Sequence, residues 1–265
     1  MNRVAYLLAL TLTVLTAAFL AVPSFMSMLA GVTQVYARGI ASGFTTDWIV
    51  EVWALYSGTV WRSLLIALAT LIFTLLLGVP AAYSFVVRPT RLTRLIDEVM
   101  TLPLAIPGLA IALAMLQVYG GWSWLRQSSF FIIIGHVIFT LPFMVRAVAA
   151  TLSAVDIKTL EEGAASLGAG PLQRFVDVVI PAAAPGILAG ALMVVTLSIG
   201  EFNLTWMLHT PLTKTLPVGL ADAYASMRLE VASAYTLVFF IMIIPLLVAM
   251  QMAAIAARRS SGVRP

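Results

Sequence analysis

The residues able to do chemistry in this chain are few, and they fall in two places. Asp156, Glu161 and Glu162 stand close together, ahead of Gly168, Gly170 and Pro171. Glu201 and Asn203 follow a long apolar stretch. His136 and His209 are the only histidines, and there is no cysteine. Most reaction chemistry is excluded by what is missing. A thiolate nucleophile, a thiolate metal site and a disulfide all need cysteine. No His-Glu-x-x-His occurs to bind a hydrolytic zinc, and no Gly-x-x-x-x-Gly-Lys-Ser/Thr occurs to cradle ATP phosphates. The chain is therefore read as having no catalytic residue, no metal site and no cofactor of its own. Its carboxylates suit docking and pathway roles better than bond making.

The elements that must hold these residues are membrane helices. Of the 265 residues, 62% are hydrophobic and 10% charged, against about 25% charged in a soluble domain. Mean hydropathy is +1.04. So few charges cannot cover a water-facing surface, and disorder, collagen, coiled coil and a secreted disulfide scaffold are excluded with it. The expected fold is all-α: one polytopic transmembrane domain over 1–265. A span needs about 20 apolar residues to cross about 30 Å of hydrocarbon. Six largely charge-free stretches place spans at about 4–22, 63–87, 100–119, 128–146, 183–207 and 234–257. The first could instead be a signal peptide, but its apolar run exceeds the usual core of about 7–15 residues, so a retained span is expected. Pro103, Pro107 and Gly108 interrupt the third.

Basic residues orient the chain. With the N-terminus in the cytoplasm, inner segments hold ten of the 15 lysines and arginines, Arg264 among them. Cytoplasmic loops carry such an excess, so both termini are expected inside. The net charge of +4 is then a membrane-orienting feature, and no nucleic-acid surface is expected. The outer loop 31–61, with Trp48, Trp53 and Tyr56, reads as an amphipathic connector at the interface. His136, inside the fourth span, is expected to hydrogen-bond between helices. His209 is expected to be solvated in an outer loop.

The inner loop, about 153–181, is too patterned for a simple turn. Ser153 with Asp156 fits a capping box, and Asp156 could itself cap the helix that follows. Ile157, Leu160, Ala164 and Leu167 lie on one apolar face. Gly168 and Gly170 end that helix. Pro171 suits the first position of a second helix, and Pro181 and Pro185 bend the chain into the fifth span. A helix–turn–helix at the membrane surface results. It is either a mere connector or a helix that docks into a partner's groove.

Glu162-Gly163-Ala164, three residues, Gly168, nine residues, Val178, one residue and Ile180-Pro181 resemble the EAA motif of the membrane subunits of binding-protein-dependent ABC importers. Gly163 replaces an alanine of that pattern, and Val178 and Ile180 are conservative swaps. The resemblance extends from about Ser63 to the C-terminus. It implies the type I importer permease fold in a multi-pass inner-membrane protein. It also implies a partner ATPase dimer carrying ATP and magnesium, a second permease subunit (the same chain or another) and an extracytoplasmic substrate-binding protein. On this resemblance Asp156, Leu160, Glu161, Glu162, Gly163, Ala164, Gly168 and Pro181 couple the chain to the ATPase.

Glu201 lies near the outer end of the fifth span, where a carboxylate marks a pathway or points to water. Gly200-Glu201-Phe202 resembles permeases for polyamines, ferric iron and 2-aminoethylphosphonate, and Glu201 and Asn203 are the expected pathway residues. The alternative is an ion-coupled secondary transporter, for which Glu201 and His136 would be the relay candidates.

Overall fold

The computed structural model describes residues 3–260, and apart from one isolated bridge between Thr33 and Phe44 the regular structure among them is helical. Arg264, counted above, lies outside the described residues. The chain order is α1 (Arg3–Ala30), a 3-10 segment (Tyr36–Ser42), α2 (Asp47–Val87), α3 (Arg91–Ala105), α4 (Gly108–Tyr119), α5 (Ser123–Arg126) and α6 (Ser129–Ser153). Then come α7 (Ile157–Ser166), α8 (Pro171–Arg174), a π-turn (Phe175–Val179), α9 (Ile180–Ile199), α10 (Asn203–Leu208), α11 (Leu216–Ala225) and α12 (Leu229–Ser260).

Among the described residues, five helices are long and apolar enough to cross a membrane, and a sixth span exists if α3 and α4 count as one. They do not form one rod. The two helices meet at 110°. Pro107 supplies no backbone N–H and forces its predecessor out of helical geometry, and Ile106 is extended at φ −95° and ψ 129°. The expected span at 100–119 is thus a 12-residue helix, α4, behind a sharply angled α3.

Other boundaries also differ from expectation. α2 begins at Asp47, so half of the supposed outer connector is helix. Its three charges, Asp47, Glu51 and Arg62, masked an otherwise apolar run. α1 and α12 run through Pro23 and Pro245 to Ala30 and Ser260. α8, the π-turn and α9 make one helical run, Pro171–Ile199, and Pro181 and Pro185 both lie inside it. That run stops at Ile199, short of the expected 207, and α10 follows as a separate piece.

The chain divides into two compact units. The first comprises Met1–Val60 and Gly219–Met242. In it the Gly31 backbone lies against Ser233 and Ala234, Tyr56 packs on Tyr235 at 5.6 Å between ring centroids, and Arg228 pairs with Glu51. That carboxylate raises the Arg228 pKa above its ordinary value.

The second unit comprises Trp61–Val218 and Ile243–Pro265, and it holds every expected site residue. One core cluster joins Val79 and Ala82 of α2, Met144, Val148 and Leu152 of α6, Ile157 of α7, Val179 of the π-turn and Ala183 and Val194 of α9. A second joins Ile66 of α2 to Ile111 and Met115 of α4, Phe131 and Ile132 of α6, and Leu204 and Leu208 of α10. Between helices in lipid such clusters hold by van der Waals packing rather than by removal of side chains from water. The tightest contact is α6 on α9. A Cβ at Gly186 would stand 2.5 Å from the Ala147 carbonyl oxygen and from Thr151 Oγ1, and one at Gly190 would stand 2.7 Å from Met144 Sδ. Only glycine lets these backbones approach so closely.

Candidate functional site

α7 is a ten-residue helix between α6 and α8. Asp156 starts it: Oδ1 accepts from Thr159 N at 3.3 Å and Oδ2 from Thr159 Oγ1 at 2.7 Å. These bonds hold the Asp156 carboxyl below its ordinary pKa. Ser153 does not take part, because α6 continues through it. Gly168 ends α7 at φ +90°, a left-handed backbone that side chains resist. Ala169 N donates to Ala164 O at 3.0 Å and Gly168 N to Ala165 O at 2.9 Å. This paired closure is the Schellman motif, which satisfies carbonyls that a helix end would otherwise leave bare.

The buried stripe of α7 is rotated from the expected one. Ile157 and Glu161 are buried and Ala164 is half-buried, whereas Leu160 and Leu167 are 50% and 90% exposed. A carboxylate can go underneath because Tyr83, near the end of α2, meets it. The Tyr83 hydroxyl lies 2.7 and 2.8 Å from the two Glu161 oxygens. Phe175 holds the Tyr83 ring edge-on at 5.4 Å. Glu162, Gly163 and Leu172 are exposed, and a Cβ added at Gly163 would meet nothing within 4 Å. So the expected coupling residues divide. Glu161 and Ala164 face the protein, while Leu160, Glu162 and Gly163 face away. Gly168 and Pro181 are exposed at the turn and at the start of α9.

Glu201 and Asn203 sit at the break between α9 and α10. Asn203 is exposed. Glu201 turns inward, with its side chain 9% exposed. It accepts from Leu204 N at 2.9 Å, Thr205 N at 2.8 Å and Thr205 Oγ1 at 2.8 Å. At the other end of α10, Arg126 donates to Leu208 O at 2.7 Å and His209 O at 3.3 Å. A six-residue helix is too short to persist on its own. Here an acid holds its N-terminal N–H groups and a base its last carbonyls, the favourable pairing for a helix dipole.

His136, buried in α6, links this break to α9. Its Nδ1 lies 2.8 Å from Ser198 Oγ, and its Nε2 lies 2.8 Å from Thr205 Oγ1. Thr205 gives its one hydroxyl proton to Glu201. In the neutral imidazole, Nε2–H therefore donates to Thr205, and Nδ1 accepts from Ser198. Three helices are tied at one buried node. His209 is half-buried rather than simply solvated, with Nδ1 2.8 Å from Trp206 O.

Residues 74–261 match the family described as binding-protein-dependent transport system inner membrane component. The chain belongs to that family. Its members are transport permeases, not enzymes. The permease is 28% identical over 251 residues to PhnV of Salmonella typhimurium, which carries the name of a 2-aminoethylphosphonate transport system permease protein, with 93% of this chain and 92% of PhnV covered. It is also 28% identical to the molybdenum transport system permease protein ModB of Escherichia coli, over 59% of this chain and 76% of ModB. Two solved structures share the fold. A bacterial ABC transporter involved in import of the acidic polysaccharide alginate has a TM-score of 0.67 at 17% identity, covering 98% of this chain and 95% of that one. The inward-facing MetNI methionine ABC transporter has a TM-score of 0.63 at 18% identity, covering 81% and 99%.

Sequence reasoning missed Tyr83, and it missed the hydrogen bonds that Ser198 and Thr205 make to His136 and Glu201 in this permease. Tyr83 carried no signal, being one aromatic residue in an apolar run. Thr205 did carry one: it stands four residues after Glu201, the spacing at which helical side chains meet.

Proposed function

We propose that this permease forms half of the translocation pathway of an ATP-driven importer, and that α7 is the helix through which a separate ATPase moves it. The observation that carries the reading is the two-sided build of α7. One side is held to α2 by Tyr83–Glu161 and to the core by Ile157. The other side shows Leu160, Glu162 and Leu167 to the surroundings. A helix so anchored transmits force to the ends of α2, α6 and α9 instead of sliding over them.

In this reading two ATPase subunits, carrying ATP and magnesium, press on α7 and on its counterpart in a second permease, a copy of this chain or a different one. An extracytoplasmic binding protein delivers the solute. Both termini lie in the cytoplasm. Asn203 contributes to the pathway, while Glu201 sets the shape of the break beside it. The solute is small and polar. The similarity to PhnV along nearly the whole chain favours the 2-aminoethylphosphonate class over polyamines and ferric iron. An ion-coupled secondary transporter fits less well, since Glu201 already accepts three hydrogen bonds from its own chain.

The test is co-purification with a candidate ABC ATPase, wild type against Glu162→Arg, with ATP hydrolysis read in nanodiscs. Wild type is expected to bind and stimulate the motor, and the reversed charge to release or uncouple it. Absence of association in wild type, together with no effect of the reversal, would overturn the reading.

A further inference from the structure

α3 has three distinct sides. Asp97 and Met100 turn toward α6, where Asp97 Oδ2 lies 3.5 Å from Arg146 Nη2 and Met100 packs on the core cluster. Arg91, Arg94 and Glu98 occupy a second side and are exposed. Leu92, Leu95, Val99 and Leu102 recur at helical spacing on the third side and are 54–65% exposed. No residue of α3 is buried. A water-facing helix does not display such a stripe, and a membrane-crossing helix does not carry four charges in eight residues. The break at Ile106–Pro107 turns α3 by 110° from α4, so when α4 runs along the membrane normal α3 runs close to the membrane plane.

We propose that α3 is an in-plane anchor. Its leucine–valine stripe is sunk into the lipid on the side of the membrane that carries α7, and Arg88, Arg91 and Arg94 engage anionic headgroups. The stripe, the polar face and the sharp bend together have the form of an interfacial helix. The basic residues gather at its start, with Arg88 one turn upstream, and clustered arginines beside a span attract an anionic leaflet. Asp97 is paired with Arg146, which leaves Glu98 as the acid on the exposed polar face. Arg146 lies on the same α6 that leads into α7, so α3 and α7 share one side. That this side is cytoplasmic rests on the function proposed above, whereas the lipid contact does not.

The absence of cysteine makes the test clean. Single cysteines at Leu92, Leu95, Val99 and Leu102, and at Arg94 and Glu98, are spin-labelled in the full-length permease in nanodiscs of phosphatidylethanolamine and phosphatidylglycerol, with and without its ATPase. The four stripe positions are expected to meet dissolved oxygen and to lie about 5–10 Å below the headgroups. Arg94 and Glu98 are expected to meet a water-soluble nickel chelate. Stripe positions open to the chelate, shielded from both reagents by protein, or placed at the bilayer centre would each overturn the anchor. For the headgroup half, a fluorophore at Val99 is expected to be quenched about twofold more by brominated phosphatidylglycerol than by brominated phosphatidylcholine. The preference is expected to vanish in the Arg88→Gln, Arg91→Gln, Arg94→Gln variant. Equal quenching in wild type would overturn that assignment. None of these readings needs an active transporter, so a failed anchor and a failed importer are told apart.

Discussion

At the α9–α10 break, Glu201 accepts three hydrogen bonds from its own chain, and one of its donors, Thr205, also meets His136. On α7, Glu161 meets only the Tyr83 hydroxyl at its buried side, and Glu162 beside it is exposed. The two regions use the same chemical group for opposite ends. The break consumes its carboxylate to hold a short helix in place. The loop uses one carboxylate as an anchor and leaves the next outside. A charge on a partner-facing surface contributes little to the fold, and a charge inside the fold offers little to a partner. The sequence motif marks the first kind, while Glu201, with its three hydrogen bonds, lies outside it.

This contrast can be broken by measuring stability and coupling together. The largest loss of stability is expected for Glu201→Ala, about 3 kcal/mol, because two backbone N–H groups lose their acceptor. Glu201→Gln should lose less, and neither should change ATPase binding. Thermal unfolding in detergent beside a pull-down checks both, and loss of the motor in Glu201→Ala at a temperature where the fold persists would erase the distinction. Tyr83→Phe keeps the ring against Phe175 but removes the hydroxyl, so α7 should loosen by about 2 kcal/mol. Amide exchange in α7 should rise while the rest of the chain is unchanged, and stimulation of ATP hydrolysis should fall with binding retained.

Smaller effects sharpen the same contrast. Gly163→Ala places its methyl in open space and should stabilise α7 by about 0.8–1.0 kcal/mol, read as slower amide exchange. Smallest is the pH dependence of the Asp156 cap. Its folded pKa is lowered, so the cap is fully formed above the ordinary carboxylate range and is lost as pH falls through the lowered value. Protection of the Thr159 amide, taken relative to its intrinsic exchange rate at each pH, should fall over that window in wild type and be flat in Asp156→Asn.

Composition made the membrane class and the all-helical fold legible, and the motif spacing made the family legible. Gly168 and Pro171 marked their turn because backbone geometry constrains them locally. Other features depended on tertiary partners. Leu160 and Leu167 belong to an apolar stripe by period, yet they are exposed, because Tyr83, distant in sequence, lets Glu161 take the inner side instead. Asp47 begins a helix that its neighbouring charges disguised. Proline was an uneven guide: α1 and α12 run through it, while Pro107, expected to interrupt the third span, does so with a turn of 110°.

The π-turn at Phe175–Val179 makes the Ile180 N–H reach back five residues to the Phe175 carbonyl. An α-helix advances about 100° per residue, and a π-turn is in effect one residue inserted into it. Removing any one of those five residues would leave an ordinary helix of nearly the same length. The wider turn takes up the rotation of the extra residue, so the helix before it would keep its orientation on α9, and the Glu162 side of α7 would face as before. Between Gly168 and Pro181, then, the chain holds one residue more than a plain helix needs, and a deletion confined to the π-turn would tighten that helix without re-aiming the loop.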